Sequence, residues 1–423
     1  MRKCCWVVLL AIPFNFQAGK IFMNFILRRC LLWLLQGLLV LSMTGCISPI
    51  ALNRAVLAYD DAITDAISQQ LLINIVRARY RQPVHFTGVS NIAATFNFHA
   101  NAGAMPALGG LAGASILPVF GGSITENPTI SIVPIEGEDF TKRLLTPFTQ
   151  NKLTLLLRQR FDVDMLLRMM AQEVRLLHDK QDNGAYRNSP AAKIGYEMFR
   201  RIVLHLSAIQ DHNHLFAEPL PLINIWTIPA GSVKPEGFLA LQKEFTVHYN
   251  AQDNTYMLRK QVAGPIVITN YDPDILSEEE REDLRQLVGD WNSSDIAFDI
   301  RAGHYGGEWP MTGVFRLRSF HNILGFLGKA LGDELGYHVE KDPRTPPILN
   351  NENPDLTMEF IVADTSPADV DLSIRWNNRY YAVNTTGPYA RWNRDAFQLL
   401  FLLFQMTVTD IPRVGVPSIT IAK

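Results

Sequence analysis

Three groups of residues in this chain combine side-chain types and spacings that could carry chemistry. The first is Leu41-Ser42-Met43-Thr44-Gly45-Cys46. Small Thr44 and Gly45 let the backbone lie extended in a peptidase cleft, and the Cys46 thiol is the one side chain that can take a diacylglyceryl thioether. The spacing predicts cleavage before Cys46 and acylation on it. Upstream, Arg28 and Arg29 precede the apolar run Leu31 to Ser42. At about twelve residues that run is short of the ~20 that span a bilayer and suits the core of a secretory signal. Met23 gives the more compact signal as a start, with Met1 to Phe22 an extension. Cys4, Cys5, Cys30 and Cys46 all lie at or before the box, so the mature chain keeps one cysteine and forms no internal disulfide.

The second group is His205, Asp211, His212, His214 and Glu218. An H-x-H pair with a carboxylate nearby can bind a divalent ion. The stretch falls where a helix ends and a loop begins, however, and histidines that simply close a helix are the preferred reading, so no metal site is assigned. The third is the loop His304-Tyr305-Gly306-Gly307-Glu308-Trp309, with an imidazole, an acid and two aromatics. Such a mixture could hold a glycan or act as acid and base, provided the groups converge.

No further catalytic signature is present. G-x-S-x-G, H-E-x-x-H, a complete G-x-x-x-x-G-K-[ST] and a strand-anchored G-x-G-x-x-G are all missing. The expectation is a chain that is not an enzyme, with no catalytic residue and no cofactor. Loss of residues 1–45 removes five basic residues and no acid, moving the formal charge from -2 to -7. That balance excludes a nucleic-acid binder by charge.

The elements that would position these groups begin with a helix. From Asn53 to Tyr80, the residues Val56, Tyr59, Ile63, Ile67, Leu71, Asn74 and Ala78 recur at three- and four-residue steps. At ~1.5 Å per residue this helix is about 42 Å long, enough to hold a body off a membrane or lie along it. Arg77, Arg79 and Arg81 crowd its last turn, where they complement the helix dipole; a phosphate or lipid-headgroup site is the alternative use of them. Pro83 stops it.

An amphipathic hairpin is expected next. From Thr95 to Ala104, Phe96, Phe98 and alternate alanines oppose Thr95, Asn97, His99 and Asn101; Ser123 to Ile135 alternates less cleanly. Met105 to Gly122 between them is Gly- and Ala-rich and uncharged, an unusual loop for a water-exposed surface. Phe96, Phe98, Leu108, Leu111, Ile116, Leu117, Val119 and Phe120 are the candidate residues for membrane or partner contact. A membrane-inserting hairpin of an oligomeric pore competes with contact without a pore and with simple packing.

Helical spacing then runs through Asn151 to Arg160, Val163 to Leu177 and Ile194 to Leu206. Beyond Leu220 the chain turns to strands, and Ser277 with Glu280 forms a capping box. Ile296 to Ile300 is predicted as a strand, Phe315 to Leu335 as a helix, and Pro343 to Pro354 as an exposed linker. Strands around Asn377-Asn378, a helix over Arg394 to Thr407 and a last strand Ser418 to Ala422 follow. The fold class is α+β: a long N-terminal helix, an amphipathic β-hairpin and a helical subdomain, then a mixed antiparallel sheet and helix region. The expected divisions are a signal peptide (1–45), anchor and helix (46–82), hairpin (83–137), helical subdomain (138–218), α+β region (219–342), linker (343–354) and C-terminal hairpin with helix (355–423).

The segments Asn74-Ile75-Val76-Arg77-Ala78-Arg79, Pro83-Val84-His85-Phe86-Thr87, Asn127-Pro128-Thr129-Ile130, and Arg379-Tyr380-Tyr381 through Phe397-Gln398-Leu399-Leu400 together resemble a group of proteobacterial outer-membrane lipoproteins without known activity. The resemblance would span most of the mature chain and brings no catalytic residue. Ile47 and Ser48 after the cysteine resemble an outer-membrane sorting signal. The expectation is an outer-membrane lipoprotein facing the periplasm, anchored in membrane lipid through acylated Cys46, acting as a scaffold or accessory subunit among other envelope proteins. An oligomeric pore or secretion-channel component built on the 95–135 hairpin is the alternative, with the chain as a homo-oligomer, and an envelope enzyme acting on glycan is third.

Overall fold

A computed structural model describes residues 47–106, 116–177, 185–288, 292–332, 336–349 and 352–408. The chain falls into two compact units, residues 1–66 and 67–423. Of the first, residues 47–66 are described, and all are helical; they open α1 (Ile47–Arg79). The second unit is α+β.

The last turns of α1 bury Leu71, Leu72, Ile75 and Val76 in the main core. Asn74, on the same face, is buried too, because its side chain replaces a missing backbone partner: it accepts from His85 N (3.0 Å) and donates to His85 O (2.7 Å). That clamp fixes where β1 (Phe86–Pro106) departs. The root of β1 is held further by Gln70, which accepts from Thr87 N at 2.7 Å, and by Phe86, whose ring packs on Phe140, Phe320 and Phe404. β1 pairs antiparallel with β2 (Ile116–Ile135) as a two-stranded sheet of its own.

Four short helices follow: α2 (Glu138–Leu145), α3 (Gln150–Arg158), α4 (Val163–Met170) and, after β3 (Ala171–Leu176) and β4 (Ala185–Arg187), the longer α5 (Lys193–Asp211). Here the structure corrects an expectation. Val163 to Leu177 is not one helix: it breaks at Met170, and Glu173 to Leu176 pair with a central strand, β9 (Met311–Leu317). Val174 is an apolar residue at both the helical and the strand period, so periodicity alone could not separate the two.

The main sheet runs β4, β3, β9, β8 (Asp295–Ile300), β7 (Thr255–Thr269) and β5 (Phe216–Pro229), with β6 (Thr246–Asn250) added on β7. Only β7 and β8 pair in parallel among the described strands. β8 is buried at all six positions, since layers cover both faces. Ile296, Phe298 and Ile300 join the main core, with Ile268 beside them and helices α1 to α5 and α8 (Phe320–Lys329) around them. Ala297 faces a smaller cluster with Val267, Val314, Tyr271 and Leu284, the last from α7 (Glu278–Val288). α6 (Pro235–Glu244) buries nothing fully. The expected helix from Phe315 is also corrected: Phe315 and Leu317 are strand residues, and α8 starts after Ser319, whose hydroxyl accepts from Asn322 N.

A small sheet of β10 (Phe360–Ala363), β12 (Arg379–Val383) and β11 (Ser373–Trp376) closes with α9 (Ala390–Gln405), whose Trp392, Leu399, Leu400 and Leu403 enter the main core. The Ser418 to Ala422 strand lies outside the described residues.

Candidate functional site

Cys46, Leu108 and Leu111 lie outside the described residues. Phe96 and Phe98 are placed in β1, and Ile116, Leu117, Val119 and Phe120 in β2. The charge-free stretch read as a loop from Met105 to Gly122 is strand at both ends: Met105 and Pro106 end β1, β2 begins at Ile116, and residues 107–115 lie outside the described residues. A backbone ladder satisfies uncharged Gly- and Ala-rich sequence as well as it satisfies any other.

The register supplies what alternation on one strand could not. Partners across an antiparallel ladder share a face. One face receives Ile92 with Ile130, Ala94 with Pro128, Phe96 with Glu126, Phe98 with Ile124, Ala100 with Gly122, Ala102 with Phe120 and Ala104 with Pro118. The other receives Asn91 with Ser131, Ala93 with Thr129, Thr95 with Asn127, Asn97 with Thr125, His99 with Ser123, Asn101 with Gly121 and, toward the far end, Gly103 with Val119 and Met105 with Leu117. The two strands are in phase. The ribbon is apolar along one side, with Glu126 the one charge there, and mostly polar along the other from Asn91 to Asn101; beyond Asn101 that second side turns apolar as well. Where the apolar side can be followed out of the body, Ile130 is 47% exposed. Residues 82–125 contain no Asp, Glu, Lys or Arg.

The histidine cluster is dispersed. His205 is buried; with Nε2 donating to Gly306 O (2.8 Å) and Nδ1 accepting from the Thr345 hydroxyl (3.1 Å), burial pushes its pKa down and keeps it neutral. His212 and His214 both lie against the Tyr305 ring, at 4.7 and 4.9 Å. Glu218 pairs with Arg158, and Asp211 accepts from Leu349 N. No group of three potential metal ligands occurs among the described residues.

The 304–309 loop is used by the core. Trp309 packs edge-on to His205 (5.3 Å) beneath the Arg344 guanidinium (4.6 Å), and His304 leans on Tyr271 (5.3 Å). Gly306 has φ +77°, and a Cβ there would strike Ile209 at 2.5 Å, so glycine is required for the approach. Thr345 and Arg344 belong to the stretch read as an exposed linker; it is pinned at these points, because the polar groups of His205 and Trp309's neighbourhood need partners.

One group of residues was not visible in the sequence. Asp164 and Arg168 on α4 and Arg200 on α5 are all buried. Arg200 donates to Asp164 (2.5 Å) and to Asn353 Oδ1 (2.6 Å), while Arg168 donates to Pro354 O (2.8 Å) and lies over Trp392 (5.3 Å). Burial, with Arg200's charge nearby, lowers the Arg168 pKa to about 10. Asp162, the N-cap of α4, accepts from Asp164 N (2.7 Å); burial first, then the Asp164 charge, raises its pKa to about 7. Folded Asp162 thus keeps its proton to about pH 7, whereas an unfolded aspartate loses it near ~3.9. Between those values the folded state binds the extra proton, so rising pH works against folding. Asp162→Asn keeps the capping oxygen. In urea titrations it is expected to match the parent near pH 4 and to exceed it at pH 8, by up to about 4 kcal/mol.

No protein-family model, no curated protein and no solved structure matches this chain. No helix among the described residues is long and apolar enough to cross a membrane, which says nothing of a β-barrel.

Proposed function

We propose that this chain is an outer-membrane lipoprotein, held at the periplasmic face by acylated Cys46, that works without catalysis as a subunit of a cell-envelope assembly and contributes its β1–β2 hairpin to an oligomeric barrel. The observation that carries this is the in-phase register of two strands of about twenty residues with no other strand partner among those described. A two-stranded ribbon is marginal in water and exposes two unpaired edges. Copies closing edge to edge satisfy both, with the apolar side toward lipid and the Asn- and Thr-rich side toward a lumen. The uncharged run between Glu126 and the far end of the ribbon matches the nine to eleven residues per strand that cross a bilayer. An uncharged tip also avoids the ~2.5–3.5 kcal/mol that each buried charge would cost in crossing.

The second reading is the scaffold or accessory role, in which the same open edges take a strand from a different envelope protein. The native mass of the acylated protein in mild detergent, beside a variant lacking Met105 to Gly122, separates the readings. A large homo-oligomer that collapses in the variant supports the barrel. A complex with other proteins supports the scaffold, and a monomer in both samples removes the hairpin from either role.

A further inference from the structure

The end of α1, one side of α8 and the turn from β4 into α5 enclose a cleft of about 830 Å³. Arg79, Arg81, Arg187, Arg318 and Lys329 line it together with His321, and no carboxylate does so among the described residues. Arg318 is committed to the fold. Its guanidinium donates to the carbonyls of Arg168 and Met169 (both 3.1 Å) and Asn188 (3.0 Å), and it stacks on Phe326 at 3.8 Å. Arg81, Arg187 and His321 stand exposed around the opening.

Two features of the backbone add to this. Ala191 and Ala192 line the cleft, and Ala192 is the N-cap of the 19-residue α5, which has no side-chain cap and no acid in its first turn. Amide donors and the positive end of the helix dipole are thereby presented where the cations gather. The second feature is Arg81 itself. It sits at φ +57° as α1 ends, with Arg81 N bonded to Ala78 O (3.2 Å) and Gln82 N to Arg77 O (2.9 Å). This is the helix-ending turn whose left-handed position glycine fills without strain. Glycine would fill that position with less strain, and the turn sets the Arg81 side chain at the rim of the cleft. The walls are close-fitted: a Cβ on Gly328 of α8 would meet Arg79 N and Ile75 O of α1 at 3.0 Å.

We propose that this cleft binds a phosphate group, carried either by a small soluble phosphate or by the headgroup of an anionic phospholipid. Guanidinium forks and helix-terminal amides together match the oxygens of a phosphate, which a site built of lysines alone would meet only as a point charge. The binding is independent of the hairpin and of the barrel reading.

The test uses the full acylated protein in an uncharged detergent, titrated calorimetrically with inorganic phosphate and, separately, with a short-chain phosphatidylglycerol below its micelle concentration. Saturable binding is expected. Arg81→Gly and Arg187→Gln should each weaken it at least about tenfold, while Lys243→Gln on α6 removes the same charge elsewhere and should change it less than about twofold. Arg81→Gly should at the same time raise the urea midpoint, which separates loss of the site from loss of the fold. Saturation by inorganic phosphate assigns a soluble ligand, and saturation by phosphatidylglycerol alone assigns the lipid. The proposal is overturned if neither ligand saturates, if the two cleft variants bind as the parent does, or if Lys243→Gln loses as much as they do.

Discussion

Ala102→Arg is expected to abolish the detergent-stable oligomer and any conductance in planar bilayers, whereas Asn101→Arg, one residue away, should keep both and shift conductance toward anions. The opposite outcomes follow from the register. Ala102 pairs with Phe120 on the apolar side of the ribbon, and Asn101 pairs with Gly121 on the polar side. In a barrel the first arginine would face lipid near mid-bilayer, costing ~2–4 kcal/mol in every subunit, while the second would face water in the lumen. The cost multiplies with subunit number, so the effect on assembly is larger than on any one chain. Native mass and single-channel recording check it together. If the two variants behave alike, the ribbon has no lipid-facing side and the barrel reading fails.

Asp164→Ala should be the most destabilising single substitution in the body, losing ~3–5 kcal/mol in urea titrations. Asp164 is the carboxylate that meets both Arg200 (2.5 Å) and, more distantly, Arg168 (3.9 Å), and its removal leaves two guanidiniums buried without a counter-charge. Arg168→Met is expected to behave differently. Nε and Nη1 of Arg168 have no hydrogen-bond partner, so an apolar side chain of similar length replaces an incompletely solvated cation and should leave stability unchanged or raise it. A large loss in Arg168→Met would mean that its bond to Pro354 O and its contact with Trp392 outweigh its burial.

Local chemistry was legible where it needed only neighbours in sequence. The capping box forms as read, Ser277 Oγ accepting from Glu280 N and Glu280 accepting from Ser277 N. Asn377 and Asn378 both take positive φ, 47° and 63°, in the two-residue turn between β11 and β12, as a hairpin turn of that length demands. Patterns failed where an apolar residue serves either period. Val174 and Phe315 both lie in strands inside stretches spaced like helices, because a buried apolar residue fits the core-facing period of either element. The histidine cluster shows the same limit in another form: three imidazoles near one another in sequence are sent to Gly306 and Tyr305.

By itself the sequence determined the α+β character, the turns and caps, the amphipathic alternation of β1, and the uncharged run that sets the hairpin apart. These depend on contacts within a few residues, which spacing records directly. Only the tertiary structure decided that β2 pairs in phase with β1, that α4 and α5 share Asp164, and that Arg79 of α1, Arg187 of β4 and Lys329 of α8 line one cleft. Each of those depends on which distant residues are brought together, and that is settled by closure of the core around Leu71, Phe298, Phe315 and Leu400, not by any periodicity along the chain.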